Sequence, residues 1–136
     1  MTPPAGEVDG GRVRGIGVDA VDVARFRTVL ERRPGLARRL FTDAERSYAA
    51  AKADPGPRLA ARFAAKEAVL KALGVGIGAT DFRDVEVVSA GSGAPRLALA
   101  GRAATLADAR GVRWWHLSLT HTDLVAVASV VAEGDG

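Results

Sequence analysis

The sequence of 136 residues contains no cysteine, which excludes disulfide bonds and thiolate metal sites. It also contains no apolar run that approaches the roughly 20 residues of a membrane-spanning helix. The first residues, MTPPAGEVDGG, lack the basic start and the apolar core of a secretory signal. We therefore expect a cytoplasmic protein that makes no contact with membranes.

Aromatic residues are scarce, at 5% of the chain, and the two tryptophans are adjacent. A protein that binds nucleic acid by stacking would combine exposed aromatic residues with a continuous basic stripe, and the sequence has no such pattern. The net charge of +3 is compatible with an acidic partner or a phosphorylated ligand. The hydrophobic content of 48% indicates a globular domain with a core. We expect no nucleic-acid partner.

Hydrophobic periodicity, capping residues and turn residues predict a single compact domain over residues 13–132, between a flexible tail at 1–12 and a second tail at 133–136. Strands are predicted at residues 13–19, 85–88, 96–99, 114–120 and 124–132. Helices are predicted at residues 21–33, 42–53, 58–73 and 101–110, with a turn at 54–57. This order predicts an α+β fold in which a mainly antiparallel sheet packs against the long helix.

The long helix has three charged residues where its apolar face should continue. Wound at about 100° per residue, residues 59–73 place five apolar side chains on one broad face: Leu59, Phe63, Val69, Leu70 and Leu73. Arg62 and Lys66 fall within this face, and Glu67 lies at its edge. These side chains could reach solvent, with Glu67 and Lys71 forming an exposed pair four residues apart. Alternatively, the face borders a site in which Glu67 binds a metal ion and the cations bind phosphate.

Two further segments carry candidate site residues. Asp19 ends the first predicted strand, in a position where ligands often bind, although it could equally cap the following helix. The loop GVGIG, at residues 74–78, lacks both the GxGxxG order of a dinucleotide fold and a Walker A lysine. Its glycines would stop the helix, and they could also let a nucleotide approach the backbone closely.

The segment WWHLSLTHTD, at residues 114–123, places polar side chains on one face of a predicted strand. His116, Ser118 and Thr120 alternate with apolar residues, so their side chains point to the same side. This face could hold a phosphate, and His121 at the end of the strand could donate a hydrogen bond or accept a proton. We expect His116 and both tryptophans to be structural, while either role is open for His121.

Three of these segments together resemble the holo-[acyl-carrier-protein] synthases, the short single-domain type of 4'-phosphopantetheinyl transferase. The segments are GIGVDAVDVARF, RFAAKEAVLKALGVGIG and HLSLTHTD followed by a strand rich in alanine and valine, and they occur in the family's order. The resemblance extends over residues 15–132, and its most specific part is the middle segment. Where the family often has serine before the histidine, this chain has Thr120, which keeps the hydroxyl group.

The resemblance implies that the phosphopantetheine arm of coenzyme A (CoA) is transferred to a serine of an apo acyl carrier protein, with release of adenosine 3',5'-bisphosphate. It implies a Mg²⁺ site formed by Asp19 and Glu67, in agreement with the oxygen ligands that this ion prefers. It implies that eight residues bind the phosphates and the nucleotide: Arg62, Lys66, Lys71, Gly74, Gly76, Gly78, Thr120 and His121. The catalytic residues would be Glu67, Lys66 and His121, and the serine proton would go to Glu67, to His121 or to a water on the metal.

The resemblance also implies partners. Arginines crowd the first predicted helix and the residues after it, and such a surface would attract an acidic carrier protein. Arg25 and Arg32 are the candidate docking residues, with Arg25 first because it matches the family position nearest the metal-binding aspartate. A homotrimer with active sites between protomers is implied as well.

The family's role in fatty-acid and lipid biosynthesis is implied in the same way, with polyketide and peptide-synthetase carriers as alternatives. A protein that binds CoA or an acidic partner without turnover is the competing interpretation. The chain retains both carboxylates, Lys66 and His121, and this favours the enzyme.

Overall fold

A computed structural model of the chain describes residues 11–89 and 93–136. Its helices and strands, in chain order, are β1 (Gly11–Asp22), α1 (Val23–Arg32), α2 (Leu36–Leu40), α3 (Asp43–Ala50), α4 (Pro55–Leu73), β2 (Val85–Val88), β3 (Arg96–Leu99), α5 (Gly101–Ala109), β4 (Trp114–His121) and β5 (Val125–Asp135). A short 3-10 turn at Phe82–Asp84 precedes β2. The predicted α+β fold is confirmed.

The strands form two antiparallel sheets. The larger sheet has the order β1-β5-β4, and β2 and β3 form a separate hairpin. The positions of β2 and β3 agree with the predicted strands, although part of the connection between them, residues 90–92, lies outside the described residues. Helix α4 lies across one face of the larger sheet, where alternate residues of the central strand β5 are buried beneath it.

Two glycines allow α4 to pack unusually close to β1. A Cβ atom at Gly17 would overlap the carbonyl of Ala68, at 2.8 Å from its carbon, and one at Gly15 would lie 2.9 Å from the carbonyl carbon of Ala72. Such distances leave no room for any side chain. Because side chains in a strand alternate, Asp19 lies on the same face as these two glycines, one step further along β1. The close packing therefore presents Asp19 to the side of α4.

The sheet extends past both predicted domain boundaries. Gly11 and Arg12, placed in the predicted amino-terminal tail, belong to β1, and they pair with Asp135 and Gly134 in the predicted carboxyl-terminal tail. Each end is ordered by the other, a long-range pairing that no local pattern reveals. The rest of the predicted flexible tail, residues 1–10, lies outside the described residues.

Two helical segments also differ from the prediction. The predicted turn at 54–57 is the start of α4, because Asp54 caps the helix by accepting a hydrogen bond from the Gly56 amide, and Pro55 occupies a first-turn position that needs no amide proton. Helix α2, with only five residues, was not predicted. The capping box of Thr42 and Glu45 is confirmed at the start of α3.

A second apolar cluster holds α1 and α2 against α4. The ring of Phe63, on α4, stacks on Phe26 at a centroid distance of 5.0 Å and packs against Phe82 at 5.5 Å. This cluster forms the wall of the cleft described below. Within residues 11–89 and 93–136, no helix is long and apolar enough to cross a membrane.

Candidate active site

A cleft of about 550 Å³ opens where β1 ends, between α1 and α4. Three carboxylates line it, Asp19 and Asp22 from the end of β1 and Glu67 from α4, and that of Asp22 caps α1 by accepting a hydrogen bond from the Arg25 amide. Its wall is apolar and includes Phe26, Phe63 and Phe82. The structure therefore brings together the two residues that were predicted to bind a metal ion, from parts of the sequence 48 positions apart.

Lys71 pairs with Asp19 at the edge of the cleft. Its ammonium group donates hydrogen bonds to the Asp19 carboxylate at 3.0 Å and to the Val18 carbonyl at 2.9 Å. The Asp19 side chain is 15% exposed and that of Lys71 is 53% exposed. A half-exposed ammonium group beside Asp19 can still turn toward a phosphate, and the phosphate contact of Lys71 stays a prediction.

Glu67 is held in a poor environment for a negative charge. Partial burial raises the pKa of its carboxyl group, the charge of Asp19 raises it further, and Lys71 partly opposes both effects. A cation bound beside Glu67 would offset this effect, because it would stabilise the ionised form of the carboxyl group. In the described part of the chain, no cluster of three or more His, Cys, Asp or Glu residues could hold a metal ion. Two carboxylates completed by substrate phosphates and water are nevertheless a usual set of ligands for Mg²⁺, so Asp19 and Glu67 fit this ion.

We predict that Glu67→Gln stabilises the ligand-free protein at neutral pH. A carboxyl group whose pKa is raised by folding contributes stability below its ordinary value of 4.5, and that contribution is lost as the pH rises through the raised pKa. In EDTA at pH 7, the glutamine variant should therefore unfold at a higher temperature than the wild type, and the difference should vanish below about pH 4. Glu31→Gln, on the exposed side of α1, is the matched control. Equal melting temperatures for the wild type and Glu67→Gln at pH 7 would contradict the conclusion that folding destabilises the ionised Glu67.

Lys66 does not reach the cleft, contrary to its predicted contact with phosphate. Its side chain is completely buried, and the ammonium group donates to Glu45 at 2.7 Å, to the Phe82 carbonyl at 2.9 Å and to the Val85 carbonyl. These three acceptors occupy all three ammonium protons. Burial lowers the pKa of Lys66, and the charge of Glu45 opposes this shift. The charge within the apolar face of α4 is thus an internal ion pair.

Arg62 faces the β2–β3 hairpin and not the carboxylates. Its guanidinium group donates to the Ser89 hydroxyl at 2.8 Å and lies 4.1 Å from the centre of the Tyr48 ring. Burial lowers the pKa of Arg62, and its Nε is buried with no hydrogen-bond partner among the described residues. Burial raises the pKa of Tyr48, but the charges of Lys52, Arg62 and Arg58 outweigh it, and the net shift is downward. Arg62 therefore belongs to a second cationic cluster, beside the hairpin.

Thr120 and His121 lie on opposite faces of the sheet. Thr120 is on the open face with His116 and Ser118, as the strand alternation predicted, whereas His121 is on the face that carries α4. His121 pairs with Ala126 of β5, and Ala126 pairs with Val21 of β1 on its other side. His121 is therefore separated from β1 by two strand spacings, or roughly 10 Å. Neither residue is among the described residues that line the cleft. One protomer therefore does not bring both side chains to the phosphate site that was predicted for them.

The glycine loop borders the cleft. Gly74 ends α4 with a φ angle of 71°, and Gly78 has a φ angle of 97°, so both adopt the left-handed conformation that favours glycine. Gly76 has no such requirement. Ile77 lies between Gly76 and Gly78 and lines the cleft. The loop therefore borders the cleft, and Ile77, one of its two apolar side chains, continues the cleft wall.

Arginines form one rim of the cleft. Arg25 lines it, as does Arg33, which the sequence analysis did not select. Arg32 is exposed in the last turn of α1 and is not among the residues that line the cleft. The sequence analysis also missed the aromatic wall and the role of Glu45. The capping box placed Glu45 at the start of a helix, but only the fold shows that its carboxylate also receives Lys66.

The face of the larger sheet opposite α4 is open and largely apolar. Ile16 and Val18 are 68% and 56% exposed, and Val13 and Trp114 are exposed beside them. His116 and Glu133 form a 3.0 Å contact on the same face. A contiguous exposed apolar surface on a small domain indicates a surface for association.

Three comparisons with known proteins agree with one another. A model of the 4'-phosphopantetheinyl transferase superfamily matches residues 15–128. The holo-[acyl-carrier-protein] synthase of Clavibacter michiganensis subsp. michiganensis is 54% identical over 123 residues, which cover 90% of this chain and 98% of that protein.

Two solved structures are similar in fold. The Neisseria meningitidis holo-[acyl-carrier-protein] synthase has a TM-score of 0.79 at 31% identity, covering 88% of this chain and 98% of that one. The Bacillus anthracis enzyme, in complex with CoA (3',5'-ADP), has a TM-score of 0.74 at 33% identity, covering 90% and 98%. The similarity therefore extends over nearly the whole chain.

Proposed function

The chain belongs to the 4'-phosphopantetheinyl transferase superfamily as one of its holo-[acyl-carrier-protein] synthases, and we propose that it modifies an apo acyl carrier protein in a Mg²⁺-dependent reaction that releases adenosine 3',5'-bisphosphate. CoA is the proposed donor, in keeping with the CoA complex of the similar Bacillus anthracis enzyme. The observation that carries the proposal is the pair of carboxylates in the cleft, Asp19 and Glu67, with Lys71 paired to Asp19 at its edge.

Asp19 and Glu67 would hold the metal ion, and Lys71 would contact the diphosphate. When bound, Mg²⁺ would neutralise charge on the diphosphate oxygens and orient them. Lys71 is suited to add a cationic contact because its half-exposed ammonium group is already directed at Asp19. Phosphoryl transfer depends mainly on positioning and on charge neutralisation, which these three side chains supply.

The nucleophile comes from the carrier. Its serine oxygen forms a bond to the phosphorus that bears the pantetheine arm, and the bond from that phosphorus to the bridging oxygen breaks. The electron pair leaves with adenosine 3',5'-bisphosphate. We propose that Glu67 accepts the serine proton, because it is the one of the two side-chain candidates that lines the cleft.

The second cationic cluster, formed by Arg62, Arg58 and Lys52 around Tyr48, suits the nucleotide end of CoA. CoA carries a 3'-phosphate in addition to its diphosphate, and the two groups need separate cations. Arg62 faces Ser89 at the hairpin, away from Asp19, and is only 3% exposed, so the more exposed Arg58 and Lys52 would make the direct contacts with phosphate. We propose that the charge of Arg62 supports the nucleotide end of the substrate instead of the diphosphate.

The open face of the sheet supports the proposed homotrimer. Exposed apolar side chains such as Ile16 and Val18 would be buried between copies of the chain. An assembly would also allow His121 of one copy to act on a substrate held by another, which would account for its distance from the cleft. Native mass spectrometry tests this, and a monomer at micromolar concentration would contradict the assembly.

The test of the reaction is the intact mass of a fatty-acid apo carrier after incubation with the purified chain, CoA and Mg²⁺. We expect a gain of one phosphopantetheine that is lost with EDTA or when the acceptor serine is replaced. CoA binding without any gain would favour the non-catalytic interpretation. Absence of CoA binding would contradict the proposed donor.

We predict that Arg25→Glu weakens carrier binding more than CoA binding. Arg25 is exposed at the rim of the cleft, and charge complementarity with an acidic carrier acts mainly on association. The KM for the carrier should rise by about tenfold, with the KM for CoA changed less than twofold. Arg110→Glu is the matched control, because it reverses the charge of an exposed arginine at the end of α5 that does not line the cleft. Equal losses for both substrates would remove Arg25 from the docking surface.

A further inference from the structure

The buried ion pair between Lys66 and Glu45 connects four elements of the fold. Lys66 lies in α4, Glu45 lies in the first turn of α3, and both side chains are completely buried. The Glu45 carboxylate also accepts hydrogen bonds from the Thr42 amide at 2.9 Å and the Val87 amide at 3.0 Å. Together with the two carbonyl acceptors of Lys66, the pair joins α3, α4, the 3-10 turn and β2.

The position of Lys66 determines the direction of Glu67. Adjacent residues on an α-helix point about 100° apart, since the helix has 3.6 residues per turn. Because Lys66 is held from three sides, it opposes rotation of α4 about its axis, in addition to the close packing of the helix against β1, and Glu67 on the same helix faces the cleft. A rotation of α4 would move Glu67 away from Asp19, and Lys71 with it.

The same pair positions the other walls of the site. The Phe82 carbonyl accepts from Lys66, and the ring of Phe82 lines the cleft and packs against Phe63. The Val87 amide donates to Glu45, and β2 continues to Ser89, which accepts from Arg62. One ion pair thus sets the spacing between the carboxylate end and the hairpin end of the site.

We infer that Lys66 and Glu45 are positioning residues for the transfer reaction and that neither touches substrate. This inference rests on the proposed function. A buried ion pair is weak support for stability as such, because desolvation offsets the attraction between the charges. The arrangement here satisfies every ammonium proton and connects the helix that carries Glu67 to two walls of the site. Its function is therefore the relative placement of groups that do contact the substrate.

The test compares the wild type with Glu45→Gln, Lys66→Met and the double variant. Mg²⁺ binding in the presence of CoA is measured by calorimetry, and turnover is measured per folded molecule. We expect each single change to weaken Mg²⁺ binding and turnover by about tenfold or more, because a small displacement of α4 would move Glu67 relative to Asp19, and a misplacement of about 1 Å can cost this much. The double variant should be no worse than the more damaged single variant, because both changes break the same link. The exposed pair Arg113→Met with Asp135→Asn is the matched control.

Lys66→Met leaves a buried carboxylate without its partner and could fail to fold. In that case Glu45→Gln and the double variant, which removes both charges, carry the test. Folded variants with normal Mg²⁺ binding and turnover would overturn the inference and leave the pair a structural one. Loss of CoA affinity in the variants that lack Lys66, with Glu45→Gln unaffected, would also overturn it and would identify a direct phosphate contact. If the proposed function is wrong, the wild type itself will show no turnover with CoA, Mg²⁺ and the apo carrier.

Discussion

Replacing Asp19 with alanine is expected to lower turnover by on the order of 10³-fold while the protein remains folded. The side chain lies at the end of β1, and its contact in the structure is an ion pair with the half-exposed Lys71. An ion pair at that exposure contributes little to stability, about 0 to 1 kcal/mol. Its loss removes one of two carboxylates proposed to bind the metal ion, and the remaining Glu67 would have to bind it alone.

The measurement is the initial rate of carrier modification at saturating CoA, combined with a urea unfolding curve. Raising the Mg²⁺ concentration should recover part of the lost rate, because Glu67 and the substrate phosphates still provide oxygen ligands. Asp43→Ala is the matched control, since it removes a carboxylate from the exposed start of α3. A rate close to that of the wild type would contradict the assignment of Asp19 to the metal site.

The second large effect is expected from Gly17→Ala. The added methyl group would collide with the backbone carbonyl of Ala68 and lie 3.0 Å from the Ala72 amide nitrogen, and backbone atoms within a helix cannot turn aside. The collision is relieved only if α4 moves away from β1, and this movement would loosen the core between the helix and the larger sheet. We expect a loss of about 3 kcal/mol in the free energy of unfolding, at the upper end of the usual cost of overpacking.

Turnover should fall together with stability, since the same displacement separates Glu67 from Asp19. Urea unfolding gives the free energy, and the rate of carrier modification is measured well below the transition. Gly76→Ala is the matched control for stability alone, because a Cβ there meets none of the described atoms within 4 Å and its φ angle is not positive. Its turnover is not compared, since Gly76 is a predicted nucleotide-binding residue. An unchanged unfolding midpoint for Gly17→Ala would mean that α4 does not approach β1 as closely as the structure shows.

Most of the secondary structure could be predicted from local patterns. The capping box at Thr42 and Glu45, the glycine that ends α4 and the strands β2 and β3 all depend on residues close together in sequence, and each was found. Boundaries set by distant pairing were not found. Gly11 and Asp135 lie at opposite ends of the chain, and each belongs to a strand because it pairs with the other.

The candidate site divides in the same way. Asp19, Glu67 and Lys71 could be selected from residue type, position and family resemblance, and the fold places all three at one cleft edge. Lys66 was assigned to phosphate on the same grounds, and its side chain is buried against Glu45. Helix periodicity predicted that Lys66 lies in the apolar face, but it could not show which partner receives the charge.

The sequence by itself determined the α+β class and the long charged helix, because both follow from residue type and short-range spacing, and the family resemblance selected Asp19 and Glu67 as the candidate metal ligands. Only the tertiary structure decided which charges face substrate and which face one another. Lys66 and Glu67 are neighbours in sequence, yet one is held in the core and the other lines the cleft. The reason is that a buried ammonium group needs acceptors from three directions, and here α3, the 3-10 turn and β2 supply them.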